Sequence, residues 1–361
     1  MKILLAFDSF KGCLTAKEAC RCGAQAIREI LPEARVVECP LSDGGEGLVD
    51  CVARLLPTRQ ICLTAHGPLM QPVETSYLIA EDGDTAYMEM AATSGLTLIP
   101  PEKRNPMLTT TYGVGEMIVD ATRQGVRHIV IGIGGSATCD GGQGMLDALD
   151  DAGLRTVDVP RITVACDVTN PLYGDQGAAR IFAPQKGATP QQVELLDMRL
   201  RRFARQAEEA HLATPDLAQQ PGAGAAGGLG YGLVAYLGAA LRSGIDTILD
   251  ITSFDVLLQD ADVVITGEGK SDAQTLMGKV PHGVLRRARK IRGRSGHILV
   301  ALLSGGIEDR EGKLRTAFDV VKSINENDDR PLDALMHPQT AMENLATTVR
   351  NLCRSTVLSG F

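Results

Sequence analysis

Two α/β domains are the expectation for this chain, and three observations carry it. Short, fully apolar runs that end in polar loops and lead into helical patterns recur at both ends of the sequence, as in parallel β-loop-α units. Between them lies a stretch whose strands alternate or branch like antiparallel ones, with Asp82-Gly83 as a hairpin turn. The 361 residues are enough for two separate cores. The two ends read as one flavodoxin-like parallel domain, 1–60 with 251–361, interrupted by an α/β domain at 61–250, with a cleft between the two.

In order, Lys2–Phe7 is a buried strand that stops at Asp8. Thr15 caps a helix over about Ala16–Ile30, with Glu18 in the capping-box position and Pro32 as the stop. Arg35–Cys39 is the second strand and empties into Ser42–Gly47 before a helix near Leu48–Leu55. Ile61–Thr64, Val73–Ala80 and Thr85–Met90 are the alternating strands. A helix to about Gln124 precedes the run Arg127–Ile131. Strand Ile162–Cys166 follows, then a long amphipathic helix over Pro190–Ala210. Gly222–Gly230 is a second glycine-rich run, either a ligand loop or a seam where backbones approach closely, leading into an apolar helix to about Leu241. Strands Ala261–Thr266, Ile298–Leu303 and Val320–Ile324 restore the parallel pattern, with helices at His282–Lys290 and from about Pro338.

The densest signal is G-I-G-G-S-A-T-C-D-G-G-Q-G at 132–144, six glycines in thirteen positions between a strand and a helix. Such a loop lets backbone come close to a bound group and points N–H groups at an anion. It matches neither standard nucleotide fingerprint. Gly134, Gly135, Ser136, Thr138 and Asp140 are its candidate contacts.

Composition narrows the partners. A net charge of −8 and 4% aromatics argue against nucleic-acid or anionic-membrane surfaces. Nine scattered cysteines without C-x-x-C spacing suit reduced thiols in the cytoplasm rather than disulfides or zinc. Cys139, in the glycine-rich loop, has no activating base nearby in sequence and reads as a packing residue. The opening M-K-I-L-L-A-F-D turns polar too soon for a signal peptide, and no apolar run approaches a membrane span. There is no G-x-S-x-G elbow or Ser/His/Asp arrangement, so acid/base work falls to carboxylates.

Those carboxylates and cations recur at predicted strand ends: Asp8, Lys11, Asp43, Glu46, Glu268, Lys270, Asp272 and Lys279. Glycine-rich cradles, lysines and a carboxylate that can accept a hydroxyl proton are what phosphoryl transfer requires. Asp8, Lys11, Asp43 and Asp272 are expected to converge and carry the reaction, with Asp272 ahead of Asp43 as the base. Ser9, Asp167, Asn170, Arg180, Lys186, Glu268 and Lys270 are the further candidates for holding substrate or phosphate.

D-S-F-K-G at 8–12, S-D-G-G-E-G at 42–47, E-M-A-A-T-S-G-L at 89–96 and the 132–142 loop resemble the bacterial type I glycerate kinases. So do A-C-D-V-T-N-P-L-Y-G at 165–174, P-Q-K-G-A at 184–188, G-A-G-A-A-G-G at 222–228 and T-G-E-G-K-S-D-A-Q-T at 266–275. The resemblance implies ATP-dependent phosphorylation of D-glycerate to 2- or 3-phosphoglycerate in glyoxylate or glucarate breakdown. It also implies Mg²⁺ as cofactor, with Asp43 and Glu46 best placed to hold it, and Lys11 on the glycerate carboxylate or the moving phosphoryl group. It leaves room for a homo-oligomer. Four departures stand out: a short Asp150–Arg161 segment, Lys270 where arginine is common, Cys139 where asparagine is common, and a stretch after Gly306 that matches less well.

Overall fold

The computed structural model describes residues 1–10, 12–42, 47–291, 296–326 and 328–355. In chain order its strands are β1 (Lys2–Phe7), β2 (Arg35–Glu38), β3 (Thr58–His66), β4 (Pro72–Ala80), β5 (Thr85–Glu89), β6 (His128–Gly132) and β7 (Arg161–Ala165). They continue with β8 (Ala240–Arg242), β9 (Val263–Gly267), β10 (Lys270–Ser271), β11 (Leu299–Ser304), β12 (Gly306–Ile307) and β13 (Val320–Ser323). The chain divides into two compact units, Met1–Asp43 with Ile245–Phe361, and Gly44–Gly244.

In the first unit the sheet runs β13-β11-β9-β1-β2, every pair parallel. Numbered within the unit this is the flavodoxin-like order, and connections leave β1 and β9 in opposite directions along the sheet. Ligands in such folds sit at that reversal, beyond the carboxyl ends of the strands. β1 is buried along its whole length, which is why it reads as an unbroken apolar run. Ile3, Leu5, Phe7, Ile265 and Leu303 meet Ala19 and Ile27 of the helix Ala16–Ile30 and Leu345 and Val349 of the helix Pro338–Arg354. The Thr15/Glu18 capping box forms as the sequence indicates.

The second unit holds a six-stranded sheet, β3-β4-β5-β6-β7-β8. β3, β4 and β5 pair antiparallel and β5 to β8 parallel. Its core joins Tyr77, Met88, Ile129 and Ile131 to Val114 and Ile118 of the helix Tyr112–Arg123 and to Met145 and Leu149 of the helix Gln143–Asp151. The helix Pro190–Glu209 packs Leu196, Leu200 and Phe203 into a separate cluster with Ala178 and Tyr231.

Three expectations shift. The units divide before residue 60 because the helix Leu48–Leu55 packs on β5 and the Leu48 N–H donates to Glu89 at 2.8 Å. They divide again before 250 because Asp246, in the helix Gly244–Ile251, pairs with Arg286 and Arg287 of the first unit. The apolar helix after the second glycine run ends at Leu237, not Leu241: Gly238 takes a left-handed φ of 63° and the next residues become β8. A three-residue strand is too short to show a period of two.

Candidate active site

At the carboxyl ends of the first unit's strands lies a cavity of about 490 Å³, lined on its polar side by Asp8, Ser9, Glu268, Lys270, Asp272 and Lys279. Asp8 and Ser9 follow β1, and Glu268 follows β9, so the cavity sits at the reversal in strand order. Glu268 is only 6% exposed. Its Oε1 accepts from the Ser271 hydroxyl at 3.0 Å and the Thr275 hydroxyl at 2.6 Å, and its Oε2 lies 3.4 Å from Lys279 Nζ. These charge-assisted contacts offset the cost of burying a carboxylate. The Ser271 hydroxyl is also 2.7 Å from that of Ser304 at the end of β11, which ties the turn to the sheet.

Lys279 is the N-cap of the helix Val280–Lys290. A cation there opposes the helix dipole, so the ammonium and the positive helix end together favour an added anion. Asp272 is held differently from Glu268. It caps the short helical turn Ala273–Met277, accepting the Gln274 N–H at 2.8 Å while its own N–H donates to the Thr275 hydroxyl at 3.0 Å. No ammonium or guanidinium lies within ion-pair distance of it among the described residues. Asp8 is nearly buried, and its Oδ1 accepts the Ser9 N–H at 2.6 Å. Lys270 points to solvent and pairs with Glu308 at 2.9 Å, which raises its pKa. Lys11, Asp43 and Glu46 lie outside the described residues.

In the second unit the glycine-rich loop follows β6. Gly134–Ser136 at its tip are accessible, with Gly135 at a left-handed φ of 68°. The loop is pinned on one side by the 89–96 segment, through Leu96 N–H to the Gly135 carbonyl at 2.8 Å and Ala137 N–H to that of Ser94 at 2.9 Å. Among the described residues the N–H groups of Gly134, Gly135 and Ser136 donate to no carbonyl. Lys186, 3% exposed, reaches the loop from a short helical turn and donates to the Ser136 hydroxyl at 2.6 Å and the Thr138 carbonyl at 2.7 Å. Burial pulls its pKa down to about 8, against the nearby Asp140 charge that raises it. Thr138 is fully buried, and its hydroxyl has no hydrogen-bond partner among the described residues.

Asp140 is placed otherwise than an open anion cradle would need. Its Oδ2 accepts from the N–H and hydroxyl of Thr111, both at 2.8 Å, and from the Gly144 N–H at 3.2 Å; its Oδ1 accepts from the Gly142 N–H at 3.2 Å. The start of the helix Gln143–Asp151 is thus filled by the chain's own carboxylate, and the N–H groups left for a ligand are those at Gly134–Ser136. Thr111 was not legible as a partner, since nothing in its local sequence pairs it with residue 140.

The second glycine run is a packing seam. The Gly141 N–H donates to the Gly227 carbonyl at 3.0 Å, and a Cβ on Gly227 would stand 2.1 Å from the Thr138 carbonyl oxygen. Cys139 is buried there, and desolvation pushes its thiol up to about 11, so it stays protonated. Asp167 accepts the Gly244 N–H at 2.8 Å, and Asn170 donates to the Gln176 carbonyl at 2.8 Å. Arg180 is engaged by Glu194 at 2.8 Å and Asp175 at 3.8 Å. These three therefore brace the loops after β7.

With both constellations defined, known proteins are informative. A model of the glycerate kinase family matches residues 3–159 and 151–356, nearly the whole chain. The chain belongs to the glycerate kinase family. It is 41% identical to the glycerate 2-kinase of Escherichia coli K12 over 97% of this chain and 98% of that one. It is 40% identical to a glycerate kinase of Bacillus subtilis 168 over 97% of each. A crystal structure from Salmonella typhimurium LT2, whose chain carries the designation glycerate kinase 2, superposes with a TM-score of 0.82 at 39% identity over 100% of this chain and 99% of that one. The two segments of the family match overlap at 151–159, where this glycerate kinase family member has its short connection before β7. No helix among the described residues is long and apolar enough to cross a membrane.

The sequence reading omitted the far wall of the cavity, where Ile324, Asn325 and Met336 stand. They lie after Gly306, in the stretch whose motifs resemble the family less well. The one available signal was the polar pair Asn325-Glu326 directly after a strand.

Proposed function

We propose that this protein transfers the terminal phosphoryl group of ATP to D-glycerate, giving 2-phosphoglycerate. The observation that carries the reading is the 41% identity to a glycerate 2-kinase across almost the full length of both chains. The strand-end constellations support it, since they supply carboxylates, ammonium groups and open backbone donors of the kinds phosphoryl transfer uses. Asp272 accepts the proton of the attacking glycerate hydroxyl as the new O–P bond forms and the bond to ADP breaks. Of the two carboxylates following β9, Glu268 is engaged by two hydroxyls and a lysine, whereas the Asp272 carboxylate is held by backbone N–H groups. The N–H groups of Gly134–Ser136, braced by Lys186, hold an anionic group of a substrate.

Among the described residues no cluster of three metal-ligating side chains forms. Mg²⁺ does not require one, because it is commonly held by one or two carboxylates together with substrate phosphates. The carboxylate of Asp8 on the cavity fits that pattern, and Asp43 and Glu46 remain the proposed additional ligands. When bound, the cation neutralises phosphate charge.

The test is ADP release measured over a panel of hydroxy acids, with the product passed directly to enolase. D-Glycerate should be the preferred acceptor, and enolase should consume the product without a mutase. A preference for another sugar acid overturns the substrate; a requirement for mutase overturns the position.

Lys186 adds a pH dependence. The folded chain releases this proton near 8, whereas an unperturbed lysine keeps it to 10.5. The unfolded state therefore holds more protons in that window, and the stability conferred by Lys186 rises with pH across it. Its grip on an anion runs the opposite way. KM for the substrate bound at the loop should climb as pH rises through about 8, and Lys186→Met should flatten that limb. A wild-type profile without the limb removes Lys186 from anion binding.

A further inference from the structure

The cavity of the first unit has a second face that catalysis does not use. Besides its polar residues it is lined by the apolar side chains of Phe10, Ile324, Leu335 and Met336. Phe10 and Ile324 are buried, and Phe10 leans on Phe7 with ring centroids 6.0 Å apart, which makes that wall rigid. Met336 is 42% exposed and Leu332, on the same rim, 68% exposed. Large apolar side chains left at a cavity mouth mark a surface that a ligand covers. Methionine adapts its shape and makes favourable contacts with aromatic rings.

Glycerate cannot account for this wall. It is a three-carbon acid whose carbons all carry oxygen, so an apolar face would desolvate its polar groups without return. A volume of about 490 Å³ is also that of a site for a much larger molecule. A nucleotide offers both kinds of surface that this lining can meet, a flat apolar base and charged phosphates. We propose that this cavity is the donor-nucleotide site, with the purine against Met336, Leu335 and Ile324 and the phosphates toward Lys279 and Asp8. The placement rests on the reading of the protein as an ATP-dependent kinase, and it assigns the donor to the flavodoxin-like unit.

ADP, inorganic pyrophosphate and D-glycerate titrated separately into the full-length protein by calorimetry test the assignment. Met336→Ser removes exposed apolar surface, so the fold should tolerate it, and Leu335→Ser provides a second truncation of the same wall. Each should weaken ADP about five- to ten-fold, the size expected from losing one apolar contact surface, and leave pyrophosphate and D-glycerate unchanged. Weaker D-glycerate binding with ADP unaltered, or ADP unaltered in both variants, overturns the proposal. So does a wild-type chain that binds no ADP. A wild-type chain that binds ADP and loses it in the variants, yet shows no turnover on D-glycerate, sinks the proposed acceptor and leaves the nucleotide site standing.

Discussion

Asp272→Asn should lower kcat by about 10²–10⁴-fold, the usual cost of removing a general base, while its melting temperature stays close to that of the wild type. The separation of the two readouts follows from the local geometry. Asp272 caps a helical turn through the Gln274 N–H, and asparagine caps as well as aspartate. The substitution thus keeps the turn and removes the proton acceptor. Asp272→Ala should lose both, with about 1 kcal/mol of stability going with the cap. Near-normal kcat in Asp272→Asn, with loss in Asp43→Asn, would transfer the role to Asp43. Activity in both variants would place the chemistry on other groups.

Gly227→Ala should destabilise the protein by roughly 2–4 kcal/mol, combining left-handed strain with overpacking, and should abolish activity in whatever fraction folds. Gly227 has φ 68°, and the added Cβ would meet the Thr138 carbonyl oxygen at 2.1 Å and the Cys139 Cα at 2.6 Å. Both are backbone atoms of the glycine-rich loop, so no side chain can swing aside and the loop itself must move. Gly153→Ala is the control. It has a similar φ of 66° with nothing within 4 Å of the new Cβ, so it should cost about 1 kcal/mol and spare activity. Equal melting temperatures and equal KM values for the two variants would show that the seam does not position the loop.

Most of the fold was legible because its signals are local. The short apolar run after Lys2, ended by Asp8, is of strand length and fits a strand with both faces covered, and Thr15 with Glu18 marks where the following helix begins. The pairing of β1 with β9, more than 250 residues apart, was legible only by analogy between the two ends of the chain. β8, β10 and β12 were not legible, because two or three residues carry no period and their pairing is set by neighbours distant in sequence.

The site divides along the same line. Residue types and order along the chain established a set of small, polar, glycine-rich loops after strands, and their agreement with the glycerate kinases established the family. Which of those side chains remain available to a ligand was decided by tertiary contacts. Asp140 and Asp272 look alike in sequence, each an aspartate in a glycine-containing turn. Folding gives Asp140 to Thr111 and the helix start, while the Asp272 carboxylate on the cavity has, among the described residues, only backbone hydrogen-bond partners. The two glycine runs also look alike, but one presents its tip and the other is pressed against it. A sequence lists the donors and acceptors a chain owns; burial and long-range hydrogen bonds determine which are consumed in holding it together.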